Sequence, residues 1–347
     1  MKQSDIWNAS ARKSPDVLII QYIVITAKHP QSLNECNLTT PGITFNIPAL
    51  HLSPMLKREN ILIEALPYIR KFHNSIMVIK MGGHAIVNPA LMDQIVQDIV
   101  LLKFVGIRPI IVHGGGPEIT EKMARMGKKP EFVSGLRVTD DETLEIARMV
   151  LVGNVNSKIV SLISKHGGKG IGLSGSDGRI IVARKMSPQR MTVDGVEKEV
   201  DLGWVGETEE INPELLLILA DKGYIPVISP IATDDKGNDL NVNADTVAGD
   251  IAASLKAMKL ISLTDVPGIL RDPKDTGTRI SRIAFEDIET LIADSIITGG
   301  MIPKVKSSAV AISGGVAQVH IIDGSMPHSL LLELFTHEGI GTMIYRK

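Results

Sequence analysis

From Ser75 onward, short β-branched runs alternate with helix-length amphipathic segments, the pattern of a mostly parallel sheet covered by helices on both faces. Residues 76–80 read as a strand. Residues 89–105 read as a helix with Leu91, Ile95, Ile99 and Leu102 on one stripe, and 109–112 as the next strand, completing one βαβ unit. The spacing then predicts helix over 143–165, strands over 170–173 and 180–183, a turn-rich region with hairpins over 194–203, helix over 212–221 and a buried strand over 225–231. Helix over 244–258 and a strand over 260–264 follow, then helices over 285–293, 302–313 and 329–335 with strands over 319–322 and 341–345. The expected architecture is α/β: a three-layer αβα sandwich around a mostly parallel central sheet, without internal repeats.

Residues 1–54 break this pattern. They mix isolated polar residues, a Pro/Thr/Asn-rich stretch around Pro41 and one apolar run from Val17 to Ala27, which at about 11 residues is too short to span a bilayer. The expectation is a poorly structured extension, with Met55 as the true start and the upstream residues a mis-assigned beginning. Residues 55–73 then form an amphipathic helix with Leu62, Leu66 and Ile69 on one face and a kink at Pro67.

Two strands end in glycine-rich turns, Lys80-Met81-Gly82-Gly83 and His113-Gly114-Gly115-Gly116-Pro117, the second opening directly into a helix. Ligands of open α/β sheets bind at such carboxyl ends, where glycine lets backbone N–H groups approach an anion and a helix N-terminus adds its dipole. For either loop alone a mere tight turn is the lesser alternative; two joined by one βαβ unit suggest a phosphate cradle. Neither matches a P-loop, and Ile119 occupies the third glycine position of a dinucleotide fingerprint. Lys80 ends a buried strand, where a rigid backbone can hold an ammonium over a phosphoryl group. Lys304, in the first turn after Gly299-Gly300, is a second candidate, against the alternative of an ordinary solvated lysine. Asn243 reads as a helix cap. Asp245, entering an apolar helix, needs cations beside it, and two lysines would satisfy it.

Charge and cysteine content narrow the partners. The 37 basic and 39 acidic residues nearly cancel and no basic patch is interleaved with aromatics, so small molecules are expected rather than nucleic acid or a membrane. Cys36 is the only cysteine, which excludes internal disulfides and thiolate zinc clusters and fits the cytoplasm. His84 and His113 flank the glycine loops without Asp, Glu or Cys at ligand-like spacing, so they are read as hydrogen-bonding loop residues and no protein metal site is expected.

In order, the Lys80 loop, His113 to Gly116, Gly135-Leu136-Arg137-Val138-Thr139, Asn241 to Asp245, Thr264-Asp265-Val266-Pro267-Gly268 and Gly299 to Lys304 closely resemble the amino acid kinase family from about Leu62 to Ile344. The resemblance implies ATP-dependent phosphorylation of the side-chain carboxylate of N-acetyl-L-glutamate. A carrier-linked aminoadipate derivative is the alternative substrate, and a non-catalytic sensor or a dehydrogenase the rivals from other classes. It implies that Lys80 and Lys304 stabilise the transition state and Asp245 organises them. Gly115, Gly116, Arg137 and Asn241 would bind the acyl substrate, and Gly82, Gly83, Thr264, Asp265, Gly268, Gly299, Gly300 and Met301 the phosphates and nucleotide. Residues 74–235 would form the acyl-substrate lobe and 236–347 the nucleotide lobe, with Mg²⁺ arriving on ATP. The helix over 55–73 and the closing Glu338 to Ile344 stretch resemble the arginine-inhibited hexameric branch, implying a hexamer or dimer and arginine as an allosteric inhibitor.

Overall fold

Strand alternation explains where everything else sits. In the computed structural model, all six residues of strand β1 (Ile76–Met81) are buried, and successive side chains enter opposite cores. Met77, Ile79 and Met81 join one hydrophobic cluster, while Ile76 and Val78 join another on the other face. Lys80 shares the second face. The structure describes residues 38–40, 43–45, 63–133, 135–193 and 196–347.

The remaining principal strands are β2 (Arg108–His113), β3 (Gly170–Ser174), β4 (Ile181–Lys185), β5 (Val205–Ile211), β6 (Ile225–Ser229), β7 (Ile231–Thr233), β8 (Asp239–Val242), β9 (Lys259–Thr264), β10 (Arg282–Ala284), β11 (Gln318–Asp323) and β12 (Thr342–Tyr345). The helices are α1 (Pro89–Phe104), α2 (Gly116–Arg125), α3 (Asp141–Lys165), α4 (Glu214–Asp221), α5 (Ala244–Ser254), α6 (Ile288–Ala293), α7 (Met301–Ser313) and α8 (Ser329–Phe335). Eight strands form the central sheet in the order β10-β12-β11-β9-β1-β2-β6-β3, parallel at every junction except β11 with β12. Apolar residues of α1, α3 and α8 cover one face and those of α5 and α7 the other, giving the three expected layers. β5, β8, β7 and β4 close a small barrel beside the sheet.

The elements differ from the sequence reading in several places. The 225–231 run is not one strand: Pro230, lacking an N–H, separates β6 in the main sheet from β7 in the barrel. The hairpin expected around the 194–203 turn region is present and begins earlier in the chain: Val196–Val200 pairs antiparallel with Gln189–Val193. The start of the 285–293 helix is a 3₁₀ turn, Phe285–Asp287, ahead of α6. The buried stripe of α1 includes Met92, Ile95, Val96, Ile99 and Leu102, which leaves Leu91 at its margin. α3 contains an eight-residue π-helical stretch, Met149–Asn156.

The chain divides into two units, Met1–Ile61 and Leu62–Lys347. In the first, the described residues form one antiparallel pair, Leu38–Thr40 with Ile43–Phe45. The rest of the 1–54 extension, Met55 and the first turns of the expected 55–73 helix lie outside the described residues. In the second unit a helix over 63–72 runs through Pro67; Ile63 and Leu66 stay 66% and 51% exposed while Phe72 enters the core.

Candidate active site

Lys80 occupies the even register of β1 and therefore points toward α5 and α7. Its side chain folds back over Gly82, where a Cβ would lie 2.4 Å from the ammonium nitrogen, so a larger residue there would push the ammonium aside. Asp245 is the second residue of α5. Asn243 caps that helix, accepting from the N–H groups of Asp245 at 2.8 Å and Thr246 at 3.2 Å, which matches its reading as a cap. Lys304 lies in the first turn of α7, beyond the open Gly299 and Gly300.

These elements converge on one carboxylate. Lys80 Nζ lies 3.0 Å from Asp245 Oδ1, and Lys304 Nζ lies 3.0 Å from Oδ2. Burial opposes the charge on Asp245, but the two ammonium groups outweigh it and hold the carboxyl below the usual carboxylate range. Burial also lowers the Lys80 ammonium from the ordinary lysine value; Asp245 pulls it back up and Lys304 pushes it further down. The result is a buried and a half-buried ammonium bridged by one anion, with a net positive charge at the carboxyl end of the sheet.

Two serines missed by sequence reasoning support this arrangement. Ser262, on the same register of β9, approaches Asp245 Oδ1 at 3.5 Å, and Ser307 Oγ donates to the Asp245 backbone carbonyl. α5 and α7 touch at Gly249, where a Cβ would meet Ser307 Oγ at 2.7 Å and its carbonyl oxygen at 2.9 Å. Ser262 stands two positions before Thr264 and Ser307 three after Lys304, on the faces that carry those residues, but that relation shows only once the elements are placed.

Beside the lysine pair opens a cavity of about 850 Å³, with Gly114, Gly115, Gly116, Arg137, Asn241 and Asp245 among its walls. The N–H groups of Gly115 and Gly116 begin α2, where no intrahelical carbonyl is available to them. Arg137 is 9% exposed and has no carboxylate partner among the described residues. Its Nη2 donates to Gly116 O at 2.9 Å and Thr120 Oγ1 at 2.7 Å, and its guanidinium lies 4.6 Å from the Phe132 ring centre. A guanidinium buried without an anion suits an incoming carboxylate. Arg184 and Glu207, an ion pair from the barrel strands β4 and β5, also line the cavity and were not foreseen.

The other predicted residues lie at strand ends or helix starts. Thr264 ends β9 with its hydroxyl 3.0 Å from Val266 O and 3.1 Å from Ile322 O, fixing the turn that follows. The Asp265 carboxylate reaches the Gly83 backbone, whose positive φ of 56° and crowded Cβ position both favour glycine. Gly268, at φ 123°, lies against Thr342. Met301 begins α7 and packs its side chain on the second core. His113 is hydrogen-bonded as expected but is the last residue of β2 and fully buried, not a loop residue; the His84 side chain lies outside the described residues. Among the described residues no three His, Cys, Asp or Glu side chains gather as a metal cage.

The model of the amino acid kinase family matches residues 75–323. The acetylglutamate kinase of Methanococcoides burtonii is 67% identical over 84% of this chain and 95% of its own length, and that of Methanosarcina mazei 66% identical over 84% and 99%. Among solved structures, N-acetylglutamate synthase from Neisseria gonorrhoeae superposes with a TM-score of 0.71 at 28% identity as the complex with coenzyme A and N-acetyl-glutamate, and 0.69 at 26% as the complex with coenzyme A and L-arginine. This chain spans only 63% and 65% of those synthase chains. A family match running from the residue before β1 to the last residue of β11, with relatives aligned over more than four fifths of the chain, makes this protein a member of the amino acid kinase family.

Proposed function

We propose that the chain is an ATP-dependent kinase that transfers the γ-phosphoryl group to the side-chain carboxylate of N-acetyl-L-glutamate, forming N-acetyl-L-glutamyl 5-phosphate for arginine biosynthesis. The observation that carries this reading is the pair of ammonium groups gripping Asp245 at 3.0 Å each, in a chain about two-thirds identical to acetylglutamate kinases. A carboxylate with a pKa near ~4 is already ionised at neutral pH, so it needs no general base. Asp245, held ionised by both lysines, acts as their organiser. The barrier lies in bringing one anion to another, and the remedy is charge neutralisation with alignment. Lys80 and Lys304 face the migrating phosphoryl group, assisted by N–H groups of Gly82, Gly83, Gly115 and Gly116. Arg137 takes the α-carboxylate in a bidentate grip and Asn241 the acetylated end. Thr264, Asp265, Gly268 and the Gly299 to Met301 turn frame the adenine nucleotide. Residues 74–235 thus serve as the acyl lobe and 236–347 as the nucleotide lobe. Mg²⁺, which favours phosphate oxygens and waters over an all-protein cage, enters with ATP and neutralises phosphate charge.

The finer reading is a cytoplasmic homo-oligomer, a hexamer or a dimer, inhibited by arginine. The helix over 63–72 offers exposed Ile63 and Leu66 to a second copy. Near its end, Phe72 lies 5.3 Å from the buried Lys259 ammonium, which meets His320, and His320 meets Glu333 beside the Gly339 to Gly341 turn. The buried Glu333 carboxylate accepts from the N–H groups of Ile340 at 2.6 Å and Gly341 at 2.9 Å, which ties that turn to the Lys259–His320 chain.

ADP release measured with N-acetylglutamate, glutamate, aspartate and aminoadipate tests the reaction. Selective turnover of N-acetylglutamate is expected, and turnover of aminoadipate alone would overturn the substrate assignment. Insensitivity to millimolar arginine would remove the regulatory reading, and a monomer by light scattering the assembly.

A further inference from the structure

The glycine cradle is aimed from behind, by a residue of the π-helical stretch. His113 occupies the odd register of β2, so its ring enters the core on the α3 side while Val112 faces α5. There its Nδ1 lies 2.9 Å from Gly114 O and its Nε2 lies 3.1 Å from Asn156 Nδ2. That amide nitrogen also lies 2.9 Å from Val227 O and 3.4 Å from Leu173 O, which identifies it as the NH₂ end of Asn156; its two hydrogens go to the nearer acceptors, Val227 O and His113 Nε2, and Leu173 O is left the longer contact. A donor facing Nε2 requires an unprotonated nitrogen there. The ring proton therefore resides on Nδ1 and is donated to Gly114 O.

The direction of that carbonyl matters because the peptide is trans, so the Gly114 C=O and the Gly115 N–H point opposite ways. A carbonyl held on the α3 side turns the Gly115 N–H toward the face where the cavity opens. The opposite tautomer would place a lone pair against Gly114 O, and a turned peptide would present a carbonyl to an anion. The π-helix makes the arrangement possible: residues five apart stack in a π-turn, which brings Leu151 and Asn156 to one side. Leu151 presses on Gly115, whose Cβ position is 2.7 Å from its Cδ2, while Asn156 reaches His113.

We infer that Asn156, acting through His113, is a positioning residue that fixes the Nδ1–H tautomer and thereby aims the Gly115 N–H at the reacting anion. The inference rests on the proposed kinase activity, but its central claim is readable without it. Burial keeps the imidazole neutral, its pKa lowered to about 4, so the relay does not switch near neutral pH.

The test is ¹⁵N-histidine NMR of the full chain with steady-state kinetics, the His113 signal being assigned by its loss in His113→Asn. In the wild type the Nδ1–H tautomer is expected. Asn156→Leu should release the tautomer and lower kcat on the order of 10²-fold, as for a lost transition-state donor, while moving the KM for ATP little. His113→Asn, whose amide nitrogen replaces Nδ1, should keep most of kcat; His113→Gln, whose nitrogen replaces Nε2, should lose it. An Nε2–H signal in the wild type overturns the relay, as does equal loss in His113→Asn and His113→Gln. If Asn156→Leu fails to fold, the wild-type tautomer and the two His113 variants still decide. Absence of phosphoryl transfer in the wild type would sink the kinase reading, while the tautomer signal would still decide the relay geometry.

Discussion

Replacing Asp245 by Asn keeps the shape of the site and removes the one charge shared by both lysines. Each ammonium grips an opposite oxygen at 3.0 Å, so with the carboxylate gone two cations remain close together in a mostly buried setting. Their contacts to one carboxylate cap the separation at roughly 8 Å, so at an effective dielectric of ~20 their repulsion is at least about 2 kcal/mol, now without an anion between them. An amide offers one acceptor, so at least one lysine also loses its partner and its aim. Misplacing one such donor should cost about 3 to 4 kcal/mol of transition-state stabilisation, a fall of roughly 10² to 10³ in kcat. The pH profile should change as well. Burial lowers the Lys80 pKa and Asp245 is the main influence raising it, so Asp245→Asn should lower it further. The active ammonium form exists below that pKa and is lost as pH rises through it, so the alkaline limb of kcat should move to lower pH. The assay is ADP release followed chromatographically from neutral to alkaline pH, with a thermal melt to show that the variant folds. A folded variant with near wild-type turnover and an unmoved alkaline limb would refute the organiser role.

Gly82→Ala should displace the flexible Lys80 ammonium, whose nitrogen stands 2.4 Å from the new Cβ, and so lower kcat while leaving the melting temperature almost unchanged. Equal loss of stability and activity would refute that reasoning. Arg137→Ala should chiefly raise the KM for N-acetylglutamate, and Arg137→Lys should rescue it poorly because a point charge lacks the planar fork. Asp98, buried in α1 with one oxygen 2.6 Å from His328 Nδ1 and the other without a partner, has its pKa pushed up by burial to about 6 from 3.8. The folded state then binds a proton more tightly than the unfolded chain, so stability falls as pH rises from 3.8 to about 6. The cost is fully present above that window, about 3 kcal/mol. Melting curves of Asp98→Asn should lack that fall; parallel pH dependence in both proteins would exclude Asp98 as its source.

The lysine–aspartate centre was legible because each member stands at a local signal. Lys80 ends a β-branched run before two glycines, Asp245 follows a capping asparagine, and Lys304 follows a glycine turn. Their convergence follows from strand parity plus two helices on one face. Ser262 and Ser307 were not legible because a lone serine in a strand or helix carries no directional information until its neighbours are placed. β7 and β8 form a local hairpin, but their pairings with β4 and β5 that close the barrel are distant in sequence, and only Pro230 hinted that the 225–231 run divides. The Met149 to Asn156 stretch is apolar enough to read as ordinary helix, since hydrophobicity alone does not separate a 3.6-residue period from a wider one over two turns.

The contact of Gly249 on Ser307 has a consequence for altering specificity. Because α5 and α7 are pressed together there, and Ser307 ties α7 to the Asp245 carbonyl, the carboxylate and its second lysine travel as one body. Arg137 hangs from a separate short hairpin, Phe132–Val133 with Leu136–Arg137, and Arg184 and Glu207 from the barrel strands, so on the proposed kinase reading acceptor preference can drift by mutation on that side without retuning the lysine–aspartate centre.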